Sequence, residues 1–215
     1  MYFNPQDHYF KQAKKEWYKA RSAFKLDEID KKYHIFDDKT RTVMDIGCAP
    51  GSRLQYTYDM LSKNTKKMRH NASSALWADI REPYTIVGFD IKDVDLNLPW
   101  VYTYNQDIQD TETIKALIAQ HGVRKFDAII SDMAPNTIGF KDIDAMRSIE
   151  LLRMTLPLYE QFLREWGKAV IKIFMGPWFD EFVADFKKLV GGKNVKTYKP
   201  PAVRKESKEI YIVKY

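Results

Sequence analysis

Short apolar runs rich in β-branched residues alternate, from Thr42 to the end of the chain, with longer segments of helical periodicity. This alternation is typical of α/β proteins, in which helices connect the strands of a largely parallel sheet. We therefore expect an α/β fold with a seven-stranded, mostly parallel sheet. The strands are predicted at residues 42–46, 85–90, 101–104, 126–131, 168–174, 194–198 and 209–214.

Four segments between these strands have the pattern of helices, near residues 53–61, 111–121, 143–165 and 178–190. Two further helical pieces, 7–17 and 22–32, precede the first strand, the second with Ser22 as its predicted N-cap. Residues 1–41 are thus predicted to form a short helical extension packed on the domain. The helix at 178–190 has one apolar face, which we expect in the core. Its members are Phe179, Phe182, Val183, Phe186, Leu189 and Val190.

The 215 residues suffice for one full domain, and because no linker or repeat divides them, 1–215 is predicted as a single domain. Residues 62–83 are polar and basic, and are predicted to be a disordered loop insertion or, alternatively, a loop that contacts RNA. The sequence shows neither a signal peptide nor an apolar run of membrane-spanning length, which predicts a cytoplasmic protein without a membrane partner. The single cysteine, Cys48, excludes an internal disulfide and a cysteine-based zinc site.

The formal net charge is +6, and its distribution along the chain is uneven. Residues 1–41, 63–70 and 187–215 are each net positive, whereas residues 71–186 are net acidic. Each basic segment alone is compatible with a solvated, lysine-rich surface. Three such segments on one chain favour contact with a polyanion, and hence with phosphate groups.

The first predicted strand runs into a glycine turn that precedes a helix. Gly47 and Gly51 enclose this turn, with Pro50 between them and Asp45 within the strand. Glycine lets the backbone approach a ligand closely, and the helix N-terminus presents free N–H groups. The spacing differs from the Gly-x-Gly-x-x-Gly pattern of dinucleotide sites, so a pyrophosphate ligand is disfavoured.

Two acidic residues follow the next two strands at the same edge of the sheet. Asp90 ends the second strand, where a carboxylate accepts hydrogen bonds from both ribose hydroxyls. Asp107 follows the third strand, where it is placed to meet an adenine amine. An adenosine ligand without phosphate fits this order best, which suggests S-adenosylmethionine. The predicted donor-binding residues are Asp45, Gly47, Ala49, Pro50, Gly51, Ser52, Asp90, Asp107 and Asp132.

A lysine interrupts the apolar fifth strand. Burying the ammonium group of Lys172 is costly unless it is paired with an acid or loses its charge. Asp132, at the end of the adjacent strand, is the candidate partner. A plain buried ion pair is the alternative to a catalytic role for these two residues.

Five blocks, in order along the chain, resemble the FtsJ/RlmE ribosomal RNA 2′-O-methyltransferases. They are YKARSAFKL at 18–26, DIGCAPGS at 45–52, SDMAPN at 131–136, VIKIF at 170–174 and SKEIY at 207–211. The resemblance implies a Rossmann-like, S-adenosylmethionine-dependent methyltransferase fold and a monomer. It also implies an RNA partner, namely ribosomal RNA or the large ribosomal subunit. Arg53 departs from the family, which usually has an aromatic residue at that position.

The resemblance further implies a catalytic tetrad at Lys25, Asp132, Lys172 and Glu209, and no metal. A ribose 2′-hydroxyl ionises far above neutral pH, so methyl transfer to it needs a base or a cation that stabilises the forming alkoxide. We expect Lys172 to fill that role and Asp132 to orient it. Lys25 and Glu209 would position the ribose and tune the local charge.

The predicted RNA-binding residues are basic and lie near the two termini: Lys11, Lys14, Lys15, Lys19, Arg21, Lys199, Arg204 and Lys205. Phosphate contacts of this kind give affinity without sequence information. A transfer-RNA or cap 2′-O-methyltransferase on the same fold is the nearest alternative. A catalytically silent RNA-binding protein is an alternative of another class, which the retention of all four tetrad residues disfavours.

Overall fold

The computed structural model describes residues 15–71, 83–135 and 138–215. Within this part of the chain, seven strands form one sheet in the order β3-β2-β1-β4-β5-β7-β6. Strands β1 to β5 are mutually parallel, and β7 runs antiparallel to both β5 and β6. The predicted seven-stranded, mostly parallel sheet is therefore confirmed. The strands are β1 Thr42–Ile46, β2 Thr85–Asp90, β3 Val101–Asn105, β4 Phe126–Ser131, β5 Leu163–Phe174, β6 Val195–Tyr198 and β7 Glu209–Lys214.

Six helices lie wholly within the described residues and cover both faces of the sheet. Two of them, α1 and α2, share an apolar core with one face, and the remaining four share a second core with the other face. The strands alternate between these cores, as Val43 and Met44 of β1 illustrate, because successive side chains of a strand point to opposite faces. The helices are α1 Ser22–Tyr33, α2 Ser52–Asn71, α3 Thr111–Gln120, α4 Lys141–Arg153, α5 Leu156–Phe162 and α6 Phe179–Leu189.

The prediction of one helix over 143–165 is wrong at its C-terminal end. Pro157 lies in the first turn of α5, where a proline is compatible with a new helix but not with the continuation of α4. Strand β5 then begins at Leu163 and is irregular, since its pairing with β4 shifts register before Lys168. The intervening residues 164–167 include exposed charged side chains, so the sequence there lacks the alternation that would have indicated a strand.

The predicted loop insertion at 62–83 is wrong for residues 62–71, because α2 continues to Asn71. Leu61 and Thr65 are buried at helical spacing, while the polar residues between them stay at the surface or bind the domain. Asn64 donates to the carbonyls of Phe36 and Asp37, both at 3.1 Å. The rest of the predicted insertion, 72–82, lies outside the described residues.

Helix α1 packs against α2, as expected for an N-terminal extension docked on the domain. The hydroxyl of Tyr56 donates to Asp30 at 3.0 Å and so ties the two helices together. Ser22 is not the N-cap, which is Arg21 without a side-chain cap bond. Instead, the Ser22 Oγ lies 2.7 Å from the Ser52 Oγ, so the serine links the starts of α1 and α2. Most of the predicted helix at 7–17 lies outside the described residues.

No helix in the described ranges combines the length and the apolar character needed to cross a lipid bilayer.

The apolar stripe of α6 lies in the core, as predicted. Phe182, Val183 and Phe186 are buried, and the other three members are partly buried against the same cluster. Replacing Phe182 by alanine should lower the free energy of unfolding by about 3–5 kcal/mol, because the truncation leaves a cavity under the sheet. Urea denaturation of the variant measures this loss. Lys188→Ala, at an exposed position of the same helix, should change stability by only about 0.5 kcal/mol, and an equal loss in both variants would contradict the core assignment.

Candidate active site

The turn between β1 and α2 can be formed only with glycine at its first position. Gly47 has a positive φ of 72°, and its N–H donates to the carbonyl of Phe89 on β2 at 2.8 Å. A Cβ atom on Gly47 would lie 2.5 Å from the Cγ of Met133 and 3.2 Å from its Cα. Gly51 closes the turn with a φ of 107°, again a conformation that side chains other than glycine rarely adopt.

Asp90 and Asp107 lie beside this turn at the carboxyl edge of the sheet. Asp90 Oδ2 accepts the Ala49 N–H and Oδ1 accepts the Lys92 N–H, both at 2.9 Å. Asp107 is exposed and accepts the N–H of Gln109 at 2.9 Å. Each carboxylate thus stabilises its own loop, and because a carboxylate oxygen accepts more than one hydrogen bond, each retains capacity for a ligand.

Two of the residues predicted to bind the donor have buried side chains that are occupied by contacts within the protein. The Ser52 side chain is buried and lies against Ser22. Asp45 is fully buried beneath the turn, where it meets Arg53. These two side chains therefore support the turn from below.

Arg53 lies at the centre of a buried charge cluster. Its Nη2 donates to Asp45 Oδ1 at 2.6 Å and to the carbonyl of Gly47 at 2.5 Å, and its Nη1 donates to Asp132 Oδ2 at 2.8 Å. Burial raises the pKa of Asp45 to about 6, and Arg53 opposes only part of that rise. Among the described residues, Asp45 Oδ2 has no hydrogen-bond partner. The sequence analysis noted Arg53 as a departure from the family but missed its ion pairs.

The four predicted tetrad residues come together at this edge as two ion pairs. Lys172 Nζ lies 3.1 Å from Asp132 Oδ1, and Lys25 Nζ lies 2.5 Å from Glu209 Oε1. Between 10% and 13% of each of the four side chains is exposed, so each is largely buried but still reachable from solvent. The prediction that Asp132 is the partner of Lys172 is therefore confirmed.

Tyr211 joins the two ion pairs and was missed by the sequence analysis. Its hydroxyl lies 3.1 Å from Asp132 Oδ1 and 2.8 Å from Glu209 Oε1, and it has one proton to donate to either of them. Burial, followed by the charges of Asp132 and Glu209, raises the pKa of Tyr211 well above its ordinary value. Tyr211 therefore stays protonated and acts as a donor. The SKEIY block, which places a tyrosine two residues after Glu209 on the same strand face, is the signal that could have identified it.

The sheet topology explains how residues so distant in sequence meet. Lys172 on β5 pairs in register with Tyr211, and Phe174 pairs with Glu209, because β7 runs antiparallel to β5. The start of β7 therefore lies at the edge where the parallel strands end. Lys25 reaches the same place from α1, which packs over this face of the sheet.

The charges at this edge keep the Asp132 carboxylate ionised. Burial alone would raise the pKa of Asp132, but the cations of Lys172, Arg53 and Lys25 outweigh that effect and hold it well below its ordinary value. In the part of the chain that the structure describes, no group of three or more His, Cys, Asp and Glu side chains is arranged to hold a metal ion.

An open hollow of about 440 Å³ lies next to the tetrad. Its lining includes Lys25 and Glu209 of the tetrad and two further cationic side chains, Arg21 and Arg204. It is therefore a space in which a polyanionic substrate could approach the tetrad.

The basic residues predicted to bind RNA differ in their surroundings. Lys15 and Lys205 are exposed, and the half-buried Arg204 lines the hollow. Three others donate to backbone carbonyls and so support loops: Lys19 to Asp95, Arg21 to Ala202, and Lys199 to Lys205 and Ser207. Lys11 and Lys14 lie outside the described residues.

Comparison with known proteins finds similar methyltransferases over nearly the whole chain. The family described as FtsJ-like methyltransferase matches residues 18–215. Two relatives are named "Ribosomal RNA large subunit methyltransferase E". The one from Methanothrix thermoacetophila is 36% identical, over 97% of this chain and 71% of its own length. The one from Bdellovibrio bacteriovorus is 34% identical, over 99% of this chain and 97% of its own length.

Solved structures agree with the sequence relatives. A ribosomal RNA methyltransferase from Plasmodium falciparum superposes with a TM-score of 0.68 at 28% identity, covering 91% of this chain and 96% of that one. An rRNA methylase from Clostridium thermocellum, at 18% identity and a TM-score of 0.53, shares the fold. On these matches, the chain belongs to the FtsJ-like methyltransferase family.

Proposed function

We propose that this chain transfers the methyl group of S-adenosylmethionine to a ribose 2′-hydroxyl of RNA, and that its substrate is large-subunit ribosomal RNA. The observation that carries the proposal is the meeting of Lys172, Asp132, Lys25 and Glu209 at the edge that also holds the glycine turn. The choice of ribosomal RNA is supported by the names of the relatives.

The residues around the glycine turn fit the methyl donor. Gly47 and Gly51, both with positive φ, begin and end the turn, and glycine lets the backbone approach a ligand closely. Asp90 and Asp107 supply carboxylate oxygens on two neighbouring strand ends, which suits the hydroxyl and amine donors of an adenosine. With Ala49 and Pro50 forming the turn between the glycines, these residues would hold the adenosine part of the donor.

The tetrad supplies a cation, the Lys172 ammonium, beside the position proposed for the acceptor hydroxyl. When bound, S-adenosylmethionine supplies a methyl group on a positively charged sulfur. In our proposal, the 2′-oxygen would form a bond to the methyl carbon, and the carbon–sulfur bond would break with its electron pair on sulfur. The hydroxyl proton would be released to solvent, because Lys172 acts as an ammonium and Asp132 is held ionised. The Lys172 ammonium, held by Asp132 at 3.1 Å, would stabilise the negative charge that develops on the 2′-oxygen.

The second ion pair would orient the ribose. Lys25 and Glu209 line the hollow beside the tetrad, where the ammonium and the carboxylate offer a donor and an acceptor to a nucleotide. Fixing the 2′-oxygen in line with the methyl carbon would provide much of the rate acceleration. A transfer RNA or a capped RNA would require the same groups.

Incubation with labelled donor separates these substrates. We expect methyl incorporation into ribosomal RNA, with the label on a ribose 2′-oxygen, and little incorporation into transfer RNA or capped RNA. The modified nucleotide is mapped by alkaline resistance of the adjacent phosphodiester bond and by mass spectrometry. Label in transfer RNA alone would show that transfer RNA is the substrate and would contradict the choice of ribosomal RNA. The absence of label from every RNA would contradict the proposed activity.

Replacing Lys172 by methionine should abolish methyl transfer, because the cation next to the 2′-oxygen is lost while the side-chain volume is kept. S-adenosylhomocysteine should still bind with nearly unchanged affinity, measured by calorimetry, since the glycine turn is untouched. The matched control is Lys214→Met, which removes another buried lysine of the sheet, one that donates to the backbone carbonyls of Glu165 and Gly167. This control should transfer methyl groups normally per folded molecule, whereas normal turnover by Lys172→Met would refute the assigned role.

RNA affinity should fall steeply as the salt concentration rises, because binding releases the counterions of the phosphates. Lys205→Ala, which removes an exposed cation near the hollow, should weaken binding and reduce the slope of log K against log salt by about 0.7–0.9 for one lost phosphate contact. Filter binding or fluorescence anisotropy gives both values. Lys188→Ala, an equal loss of charge at the far end of α6, should leave the slope unchanged, and equal slopes for all three proteins would exclude Lys205 from the RNA surface.

A further inference from the structure

Arg53 occupies a position where a cation is costly. It is the second residue of α2, and the positive end of the helix dipole disfavours a cation there. Its side chain is 7% exposed, so the guanidinium also loses most of its hydration. Two carboxylates and the Gly47 carbonyl offset these costs.

Arg53 does more than neutralise the charge of Asp45. One arm of the guanidinium binds Asp45 Oδ1, and the other arm extends to Asp132 Oδ2. The planar guanidinium presents several N–H donors in fixed directions and so contacts both carboxylates from its two arms, a geometry that the compact ammonium of a lysine does not reproduce.

The two oxygens of Asp132 consequently have different partners. Oδ2 is held by Arg53 at 2.8 Å, while Oδ1 faces Lys172 and Tyr211, each at 3.1 Å. Lys172 also donates to the backbone carbonyl of Asp132 at 2.5 Å, so Oδ2 is the oxygen of Asp132 that depends on Arg53. Without Arg53 the carboxylate would be held at Oδ1 alone and could rotate further about its Cβ–Cγ bond. The Arg53 contact removes that freedom.

We propose that Arg53 is a positioning residue for methyl transfer, which anchors Asp132 through Oδ2 so that Oδ1 holds Lys172 at the reacting hydroxyl. This inference rests on the proposed function. In it, Arg53 acts through Asp132 and does not itself touch the RNA. It connects β1, the start of α2 and the end of β4 to the placement of a lysine on β5.

Three variants test the inference. Arg53→Lys keeps the charge but loses the guanidinium geometry that contacts both carboxylates. Asp45→Asn combined with Arg53→Met removes the Asp45 ion pair as a balanced unit and leaves Asp132 Oδ2 and the Gly47 carbonyl without the Arg53 contact. Arg153→Lys is the matched control, because Arg153 likewise binds two carboxylates, Glu181 at 2.7 Å and Asp185 at 2.8 Å, but on the surface between α4 and α6.

The measurements are kcat and KM for methyl transfer to ribosomal RNA, the affinity for S-adenosylhomocysteine by calorimetry, and the thermal midpoint of unfolding. For both Arg53→Lys and the double variant we expect kcat to fall about tenfold to a hundredfold. A fall of this size corresponds to the loss of one hydrogen bond between charged groups. The KM for RNA and the affinity for S-adenosylhomocysteine should stay within about threefold, less than the tenfold that 1.4 kcal/mol represents. Arg153→Lys should leave all of these values unchanged.

A double variant with normal kcat would show that Arg53 only neutralises Asp45, and would overturn the inference. So would a loss of S-adenosylhomocysteine affinity as large as the loss of kcat, because Arg53 would then belong to the donor pocket. If Arg53→Lys fails to fold, the charge-balanced double variant still decides between these outcomes. Absence of transfer by the unchanged protein would count against the proposed function, whereas normal kcat in the variants counts against the role of Arg53 alone.

Discussion

Three cations and three carboxylates share one poorly solvated edge of the sheet, and each has a partner of opposite charge. Removing such groups from water is costly, and the attraction between them repays that cost only where the contacts are close and the remaining polar atoms are bonded. Here the contacts lie between 2.5 and 3.1 Å, and Tyr211 adds a neutral donor between the two halves of the cluster. Keeping these charges paired requires that the surrounding strand ends and helix starts stay in place.

The topology of the sheet makes this pairing possible. Parallel strands deliver their carboxyl ends to one edge, which places the glycine turn, Asp90 and Asp132 side by side. An entirely parallel sheet would carry the start of its last strand to the opposite edge. Because β7 is antiparallel, its first residue, Glu209, lies next to the end of β5, and the C-terminal part of the chain contributes to the site.

The sequence predicted those features that depend on local pattern. Alternating apolar runs identified every strand, and the five motif blocks identified the tetrad, whose members the structure brings into two ion pairs. Local pattern failed where tertiary contacts decide the structure. The irregular start of β5 carries charged, exposed residues. The second half of α2 is mostly polar, and a residue such as Thr65 becomes buried only through its contact with the rest of the domain. The single-domain assignment and the roles of the individual site residues stay predictions.

Arg53 shows most clearly what a sequence leaves open. The sequence identifies Arg53 only as a departure from the aromatic residue usual in the family. In the structure its side chain is buried and binds two carboxylates, Asp45 of β1 and Asp132 after β4. The sequence contains all three residues but not the fact that one guanidinium reaches both Asp45 and Asp132, which lie close together because β1 pairs with β4.

Because these charges neutralise one another in ion pairs, the same side chains affect both the stability of the protein and the proposed methyl transfer. Loss of a single member leaves an uncompensated charge in a largely buried place, and breaking such a pair typically destabilises a protein by about 3–5 kcal/mol. A lost activity after one substitution therefore has two possible causes, a displaced catalytic group or a partly unfolded edge of the sheet. Paired substitutions that keep the net charge of the cluster separate these causes, because they remove one orienting contact while leaving the electrostatic balance on which the fold depends.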